Sequence, residues 1–214
     1  MKPISLLDKF QDYFSAQTTP EPIEITDRAC FISIQATGSF TDHAFFGQVN
    51  ALKKAAHKLK ENFDNTDKAF EMSVLEALYW YDEEKYGFVA VSDIFSRLPL
   101  NKLEYRLMIR IPDYITEEDI ALAVNSIEFD NEPAATIELF ERTEGQSVQM
   151  LHLGPFPEEE KTLLQIQQYM DSKDLIKAGV HHEIYLVDFV EEQNENNLKT
   201  ILREQVKKKY LPLG

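Results

Sequence analysis

The sequence predicts an α+β protein built from two related halves, each with antiparallel strands and one long helix. Apolar residues alternate with polar ones in several short segments, as in strands, and recur every three to four residues in two longer segments, as in helices. The order strand, helix, strand, strand occurs twice. A similar turn precedes each long helix, Gly38-Ser39-Phe40 in the first half and Gly154-Pro155-Phe156 in the second. Two pseudo-twofold βαββ units would form antiparallel sheet with helices on one side and a ligand cleft between the halves.

The composition indicates a globular protein with an acidic surface. The chain has 214 residues, of which 43% are hydrophobic, enough for a substantial core. Its net charge of −15, from 22 basic and 37 acidic residues, repels phosphate backbones, so we expect no direct nucleic-acid partner. We expect no membrane association, because no segment approaches the roughly 20 apolar residues of a spanning helix. A single cysteine, Cys30, and the lack of a signal peptide favour a cytoplasmic location.

The first 25 residues are expected to form an N-terminal helical extension, and residues 26–214 the domain itself. The extension carries apolar residues at helical spacing, followed by the helix-breaking Pro20 and Pro22. These apolar residues are Leu6, Leu7, Phe10, Tyr13 and Phe14.

The first βαββ unit is predicted from the periodicity of its apolar residues. Residues 29–37 alternate as a strand, and residues 45–63 then carry the single apolar stripe of a long helix. Two further strands are expected at 74–82 and 105–111. A short helix should begin after Thr116, which occupies the first position of a capping-box sequence.

The second unit repeats this plan. Strands are expected at 136–142 and 147–153, followed by a helix whose start is crowded by Glu158–Glu160, where the helix dipole favours acids. A strand at 182–189 follows. The apolar spacing over 198–206 then predicts a closing helix, and the three lysines after it would complement the dipole at its end.

The strongest candidate for a site is a carboxylate and a phenol on one strand. Glu183 and Tyr185 are two residues apart, so their side chains point to the same face of the sheet. Burying an unpaired carboxylate is costly, so an acid in an apolar strand indicates either a solvated edge or a pocket. Glu76 and Trp80 share a face of the 74–82 strand in the same way. If the two strands are equivalent, one cleft would hold two carboxylates, an indole and a phenol, which suits a flat aromatic ligand with a cationic group.

These residues also have a purely structural interpretation. Tryptophan is an ordinary core residue of strands, Glu76 can be solvated, and Glu183 with His182 could form an exposed edge pair. The adjacent His181 and His182 point to opposite faces, so they do not predict a metal site. The chain lacks GxSxG, phosphate-loop and dinucleotide-binding motifs, and we expect neither metal nor cofactor.

Four segments in this order resemble the GyrI-like small-molecule-binding family. They are Leu75–Trp80, Tyr105–Tyr114, Val148–Phe156 and His182–Asp188. The resemblance extends from about Phe31 to Lys207 and is strongest with stand-alone members, which lack a DNA-binding domain. The chain departs from the family pattern at two places. Asp188 is followed by Phe189 instead of a Pro-Arg-Arg turn, and Tyr79 replaces one of two successive tryptophans.

The resemblance implies SHS2-like βαββ units around a hydrophobic cleft in a bacterial, cytoplasmic protein. In multidrug-binding relatives an acid in the cleft meets cationic aromatic drugs, and Glu183 matches that position. Trp80 would be the stacking wall, while Glu183 and Tyr185 would be the polar pair. The full set expected to bind ligand is Glu76, Tyr79, Trp80, Met108, His152, Phe156, Glu183 and Tyr185.

Three functions remain open at this stage. The first is binding of a flat, hydrophobic aromatic molecule, neutral or cationic, for xenobiotic protection or sensing. The second follows from the resemblance, because some stand-alone members are hydrolases that open the cyclopropane ring of DNA-alkylating natural products. Glu183 would then act as general base, and Tyr185 would stabilise the developing negative charge. The third is a protein-interaction role, inhibition of DNA gyrase through the acidic surface.

Overall fold

The fold is built on one antiparallel sheet. The computed structural model describes residues 2–129 and 136–209, the side chains at positions 95 and 96 excepted, and over these residues eight strands pair in the order β1-β6-β8-β7-β3-β4-β2-β5. The strands are β1 (Glu21–Ile25), β2 (Ala29–Thr37), β3 (Leu75–Trp80), β4 (Glu104–Ile111), β5 (Ile137–Arg142), β6 (Gly145–Leu153), β7 (Leu175–Tyr185) and β8 (Lys199–Lys208). The α-helices are α1 (Leu6–Lys9), α2 (His43–Phe63), α3 (Glu83–Tyr86), α4 (Ile94–Arg97), α5 (Glu117–Asn125) and α6 (Glu159–Ser172).

The strand order confirms the two predicted βαββ units. The first is β2-α2-β3-β4 and the second is β6-α6-β7-β8. In the sheet, β4 lies between β2 and β3, and β8 lies between β6 and β7. The units meet where β3 pairs with β7, with Leu75 opposite Tyr185 and Ala77 opposite Glu183. The pseudo-twofold axis therefore passes between these two central strands.

The two remaining strands are exchanged between the units. β1 precedes the first unit but pairs with β6 of the second, and β5 precedes the second unit but pairs with β2 of the first. Residues 143–144 link β5 directly to β6, and such a short linker spans only about 10 Å. Six strand intervals separate β5 from β6 in the sheet, about 29 Å if the sheet were flat. The sheet must therefore curl until its two ends come together.

The larger part of the core lies between the sheet and the helices. Helix α2 packs on β2 and β4, α5 packs on α2, and α6 packs on β6 and β7. We call this side of the sheet the helix face. The other side is partly covered by the N-terminal segment, where Tyr13 and Phe14 pack against Ile184 and Ile201. Among the residues that the structure describes, no helix combines the length and hydropathy that a membrane span requires.

The closing helix predicted over 198–206 is wrong, because this segment is strand β8. Leu198, Ile201, Leu202 and Val206 happen to be spaced as on a helix. In the structure β8 is buried on both faces. Arg203 and Glu204 lie in the interior, although charged residues in a sequence normally indicate an exposed surface. The three lysines that follow Val206 therefore begin in the last residues of a strand and have no helix dipole to complement.

Two boundaries also differ from expectation. The strand predicted at 182–189 starts earlier and ends earlier, at Leu175 and Tyr185, and contains an irregularity in its pairing with β8 between Lys177 and His181. The N-terminal segment has one helical turn, α1, and then adds β1 as an edge strand to the sheet. The capping box at Thr116 is present as predicted.

Truncating a core residue of α2 should destabilise the protein strongly. Leu52 is 0% exposed, so Leu52→Ala should leave a cavity and lower the free energy of unfolding by about 2–5 kcal/mol. Leu122→Ala in α5 is the matched control, since Leu122 is 60% exposed and its loss should cost less than about 0.5 kcal/mol. Urea denaturation followed by circular dichroism measures both. Similar losses for the two variants would contradict the assignment of the core to the helix face.

Candidate functional site

Glu183 and Tyr185 form a buried, hydrogen-bonded pair on the helix face of β7. Tyr185 donates to Glu183 Oε2 over 2.6 Å, and each residue is 4% exposed. The two-residue period of the strand brings the side chains together, as the sequence predicts. Burial, followed by the charge of Glu183, raises the pKa of Tyr185 well above its usual range. Tyr185 therefore keeps its proton and acts as a hydrogen-bond donor at neutral pH.

Tyr79 extends this pair across the pseudo-twofold axis. The hydroxyl groups of Tyr79 and Tyr185 are 2.9 Å apart. Because the single proton of Tyr185 points to Glu183, Tyr79 must be the donor in the bond between the two tyrosines. The pKa of Tyr79 is raised by burial and then by the charge of Glu183. The two halves of the protein thus contribute one tyrosine each to a chain of hydroxyl groups that ends at a carboxylate.

His181 lies between two carboxylates on the same face. Its Nε2 is 3.0 Å from Glu183 Oε1, and its Nδ1 makes a short hydrogen bond with Glu204 of β8. Burial alone would lower the pKa of His181, but Glu204 and Glu183 outweigh burial and raise the pKa to about 10. His181 is therefore an imidazolium at neutral pH and donates to both carboxylates.

Glu159 is a second buried carboxyl group that the sequence interpretation missed. It lies in the first turn of α6, is 5% exposed, and its Oε1 accepts no hydrogen bond from the described residues. Its pKa is raised well above the usual range, first by burial and then by the charge of Glu183, with His181 opposing. A signal was available, because Glu159 falls on the stripe of Thr162, Leu163 and Ile166 that α6 buries.

The structure places five of the eight residues that were expected to bind ligand on the helix face. Tyr79, Glu183 and Tyr185 form the hydrogen-bonded chain, and the ring of Phe156 meets Tyr185 edge-on at 5.9 Å between centroids. The fifth is His152, whose Nδ1 is 2.9 Å from Thr162 Oγ1 and whose Nε2 is 3.2 Å from the Pro155 carbonyl oxygen. Burial lowers the pKa of His152, so a neutral ring donates to Pro155 and accepts from Thr162.

The other three residues lie on the opposite face. Glu76 pairs with Ile184 and Met108 across the neighbouring strands, while Glu183 pairs with Ala77. Directly opposed residues share a face, so Glu76, Trp80 and Met108 point away from Glu183. The expectation of one cleft holding Trp80 together with Glu183 and Tyr185 is therefore not met by this register.

The opposite face carries a similar relay around His182. Its Nε2 is 2.9 Å from Glu76 Oε2, its Nδ1 is 2.8 Å from Glu144 Oε1, and Tyr13 donates to Glu76 over 2.5 Å. Arg203 donates to Glu144 over 2.9 Å. Burial would raise the pKa of Glu144, but His182 and Arg203 lower it far below its usual range. Tyr13 covers this relay, so the N-terminal segment closes this part of the opposite face.

The geometry agrees with a family assignment. The model of the GyrI-like small molecule binding domain family matches residues 29–206, and the chain belongs to this family. None of the curated proteins matches the chain.

Solved structures show the same fold. A conserved protein from Listeria innocua is 25% identical to this chain in sequence and superimposes with a TM-score of 0.78. The match covers 95% of this chain and 100% of the Listeria chain. A hydrolase from Listeria innocua has 25% identity and a TM-score of 0.78, covering 96% and 100%. The C-terminal domain of EcmrR, at 10% identity and a TM-score of 0.55, covers 91% and 99% and shares the fold alone.

Replacing Glu159 by glutamine should make stability less dependent on pH. Because the pKa of Glu159 is raised on folding from 4.5, its contribution to stability is complete below that value and is lost as the pH rises toward the folded pKa. Glu159→Gln should match the wild type near about pH 4 and exceed its stability at higher pH, by at most about 1.4 kcal/mol per pH unit. Urea unfolding at several pH values measures this difference.

The control for this experiment is Glu160→Gln. Glu160 lies in the same turn of α6 but is exposed, so its substitution should leave the pH dependence of stability unchanged. If the stability of the Glu159→Gln protein varied with pH as that of the wild type does, Glu159 would be ionised when the protein is folded.

Proposed function

We propose that this protein is a hydrolase that binds a small electrophilic molecule over the centre of the sheet, between α2 and α6, and adds water to it. The supporting observation is that Glu159 and Glu183 are neighbouring buried carboxyl groups with different surroundings. Glu183 accepts hydrogen bonds from Tyr185 and from the His181 imidazolium, whereas burial and then the charge of Glu183 raise the pKa of Glu159 well above its usual range. Two carboxyl groups in such different environments are suited to act as base and acid.

Each carboxyl group has a defined part in the reaction. Glu183 takes a proton from water as the water oxygen bonds to the electrophilic carbon of the substrate. The substrate bond at that carbon breaks, and its electron pair moves into a conjugated carbonyl group. The carbonyl oxygen takes the proton of Glu159. Transfer of the new proton from Glu183 back to Glu159 restores the starting state, so the net change is addition of one water molecule.

Tyr185 and His181 prepare Glu183 for this role. Their hydrogen bonds to the two different oxygens, 2.6 Å from Tyr185 and 3.0 Å from His181, fix the orientation of the carboxylate. A carboxylate oriented in a dry site needs no reorganisation when the reaction begins. Once Glu183 is protonated, Tyr185 can turn its hydroxyl group to the charge that develops on the substrate.

The substrate class follows from the chemistry and from the resemblance of the sequence. A strained ring conjugated to a carbonyl group provides the electrophilic carbon and the electron acceptor that the two carboxyl groups serve. Stand-alone relatives that open cyclopropane rings act on this kind of molecule. The similarity to the Listeria innocua hydrolase, at 25% identity over 96% of this chain, supports hydrolysis as the reaction type.

Substrate entry requires that part of the structure move. Tyr79, His181, Glu183 and Tyr185 are each less than 5% exposed. The segment between β3 and β4 runs from α6 to the start of α2, since Val91 packs against the α6 cluster and Phe40 packs against Leu103 and its neighbours. We assign the part of this segment from Val89 to Leu103 as the cover that opens for the substrate.

The proposal is tested by incubating the protein with a cyclopropane-bearing DNA alkylator and following ring opening by mass spectrometry. The wild type should complete multiple turnovers. Glu183→Gln and Glu159→Gln should each lower kcat by about 10²–10⁴-fold, because each removes one proton-transfer step. Tyr79→Phe is the matched control, since it removes a hydroxyl group that contacts Tyr185 and leaves both carboxyl groups in place, and its effect should be smaller.

Turnover that survives in both glutamine variants would overturn the assigned roles. Tight binding without product in the wild type would overturn hydrolysis itself and leave the second function below.

The second candidate function is binding without turnover. Among the described residues, the hydrogen-bonded group around His181 contains two carboxylates, Glu183 and Glu204, and one cation, the His181 imidazolium, and so carries one excess negative charge. An excess charge in a site of low dielectric favours a cationic ligand.

This function predicts a charge-dependent loss of affinity. Glu183→Gln should lower the affinity for a flat aromatic cation at least about tenfold and leave the affinity for a neutral molecule of the same shape nearly unchanged. Calorimetric titration of both ligands into both proteins measures the difference. Equal losses for cation and neutral molecule would exclude the charge role of Glu183.

A further inference from the structure

A separate cavity lies at the ends of β3 and β7, beside the only tryptophan of the chain. Its volume is about 440 Å³, within the range of small-molecule sites. We call it the indole pocket, and its main walls are Trp80, Glu83, Glu84, Phe88, Lys177 and Gly179. Trp80 points to the face of the sheet opposite Glu183, so this pocket is distinct from the hydrolytic site.

The floor of the indole pocket is backbone that the sheet leaves unpaired. Pairing of β7 with β3 ends at His181, opposite Tyr79, and pairing of β7 with β8 is interrupted between Lys177 and His181. Residues 178–180 therefore lie outside both ladders of β7. A side chain at Gly179 would meet the amide end of the Gln205 side chain of β8, which would have to move aside. Bulges of this kind are over-represented beside functional sites.

The walls of the pocket combine aromatic rings with acids. Trp80 is half-buried, whereas Phe88 is 69% exposed, more than any other large apolar side chain that the structure describes. A flat ligand between these two rings would bury apolar surface that is now in water. Ala178 and Gly179 have no bulky side chains, which leaves room for such a ring against the backbone.

The charges around the pocket favour a cation. Asp82, Glu83 and Glu84 supply three carboxylates, and Lys177 and Lys207 supply two ammonium groups. The Lys177 ammonium is 4.0 Å from Glu83 and 5.2 Å from the ring centroid of Tyr81, and only 5% of its side chain is exposed. Lys177 is thus already engaged, and the exposed Glu84 adds to the negative side.

We propose that the indole pocket is a second ligand site, which binds a flat aromatic cation between Trp80 and Phe88 independently of the Glu183 site. The rings hold the flat face of the ligand and attract its positive charge through their π-electrons. Glu84 supplies the opposite charge at the rim of the pocket.

The fluorescence of Trp80 tests this site directly, because the chain has 1 tryptophan. The probes are N-methylquinolinium, a cation, and quinoline-2-carboxylate, an anion with the same two fused rings. The cation should quench Trp80 along a saturable curve with an unchanged fluorescence lifetime. The anion should bind at least about tenfold more weakly, since opposite charge changes the sign of its interaction with the carboxylates.

Surface variants assign the binding to the indole pocket. Phe88→Ala and Glu84→Gln should each lower the affinity for the cation about two- to fivefold. Both residues are exposed enough to be replaced without unfolding the protein. Glu117→Gln, an exposed acid on the distant α5, should not change the affinity. The affinity should also survive in Glu183→Gln, which separates this site from the hydrolytic site.

Quenching that is linear in probe concentration and equal for the two probes would overturn the proposal, because it would indicate collisions in solution. Saturable quenching that is lost in Glu183→Gln but retained in Phe88→Ala would also overturn it, since the cation would then occupy the other face of the sheet.

Discussion

The pairing of β3 with β7 is the constraint on which the rest of the structure depends. This ladder joins the two βαββ units, and its register, Ala77 opposite Glu183, decides which side chains face the helices. A shift of one residue would move Glu183 and Tyr185 to the side that the N-terminal segment covers. It would also exchange His181 and His182, which now point to opposite faces. The chemistry of the helix face is therefore a consequence of one strand register.

Buried charge is compensated in the same way on both faces of the sheet. His181 bridges Glu204 and Glu183, His182 bridges Glu144 and Glu76, and on each face a tyrosine donates to one of the carboxylates. Ionised groups are costly in the interior unless each has a partner, and these relays supply the partners. Glu159 lies outside these relays, and burial followed by the charge of Glu183 raises its pKa well above the usual range.

Periodicity predicted the βαββ order, helix α2 and the Glu183–Tyr185 pair, because these depend on local spacing. It did not predict β8, where buried Arg203 and Glu204 obscure the alternation. It also placed Trp80 with Tyr185. The observed register puts Tyr79 on the face of Tyr185, so Trp80, one residue further on, lies on the other face. The position of Glu159 above Glu183 depends on how α6 packs on the sheet, which spacing along the chain does not contain.

The exchange of β1 and β5 between the two units is the arrangement of a domain-swapped dimer joined into one chain. Neither unit completes its own part of the sheet, because the strand that precedes each unit in the chain pairs with the other unit. The two halves therefore depend on each other to complete the sheet. Pairing between strands so far apart along the chain slows folding. It also means that a ligand bound over the central strands stabilises both halves at once.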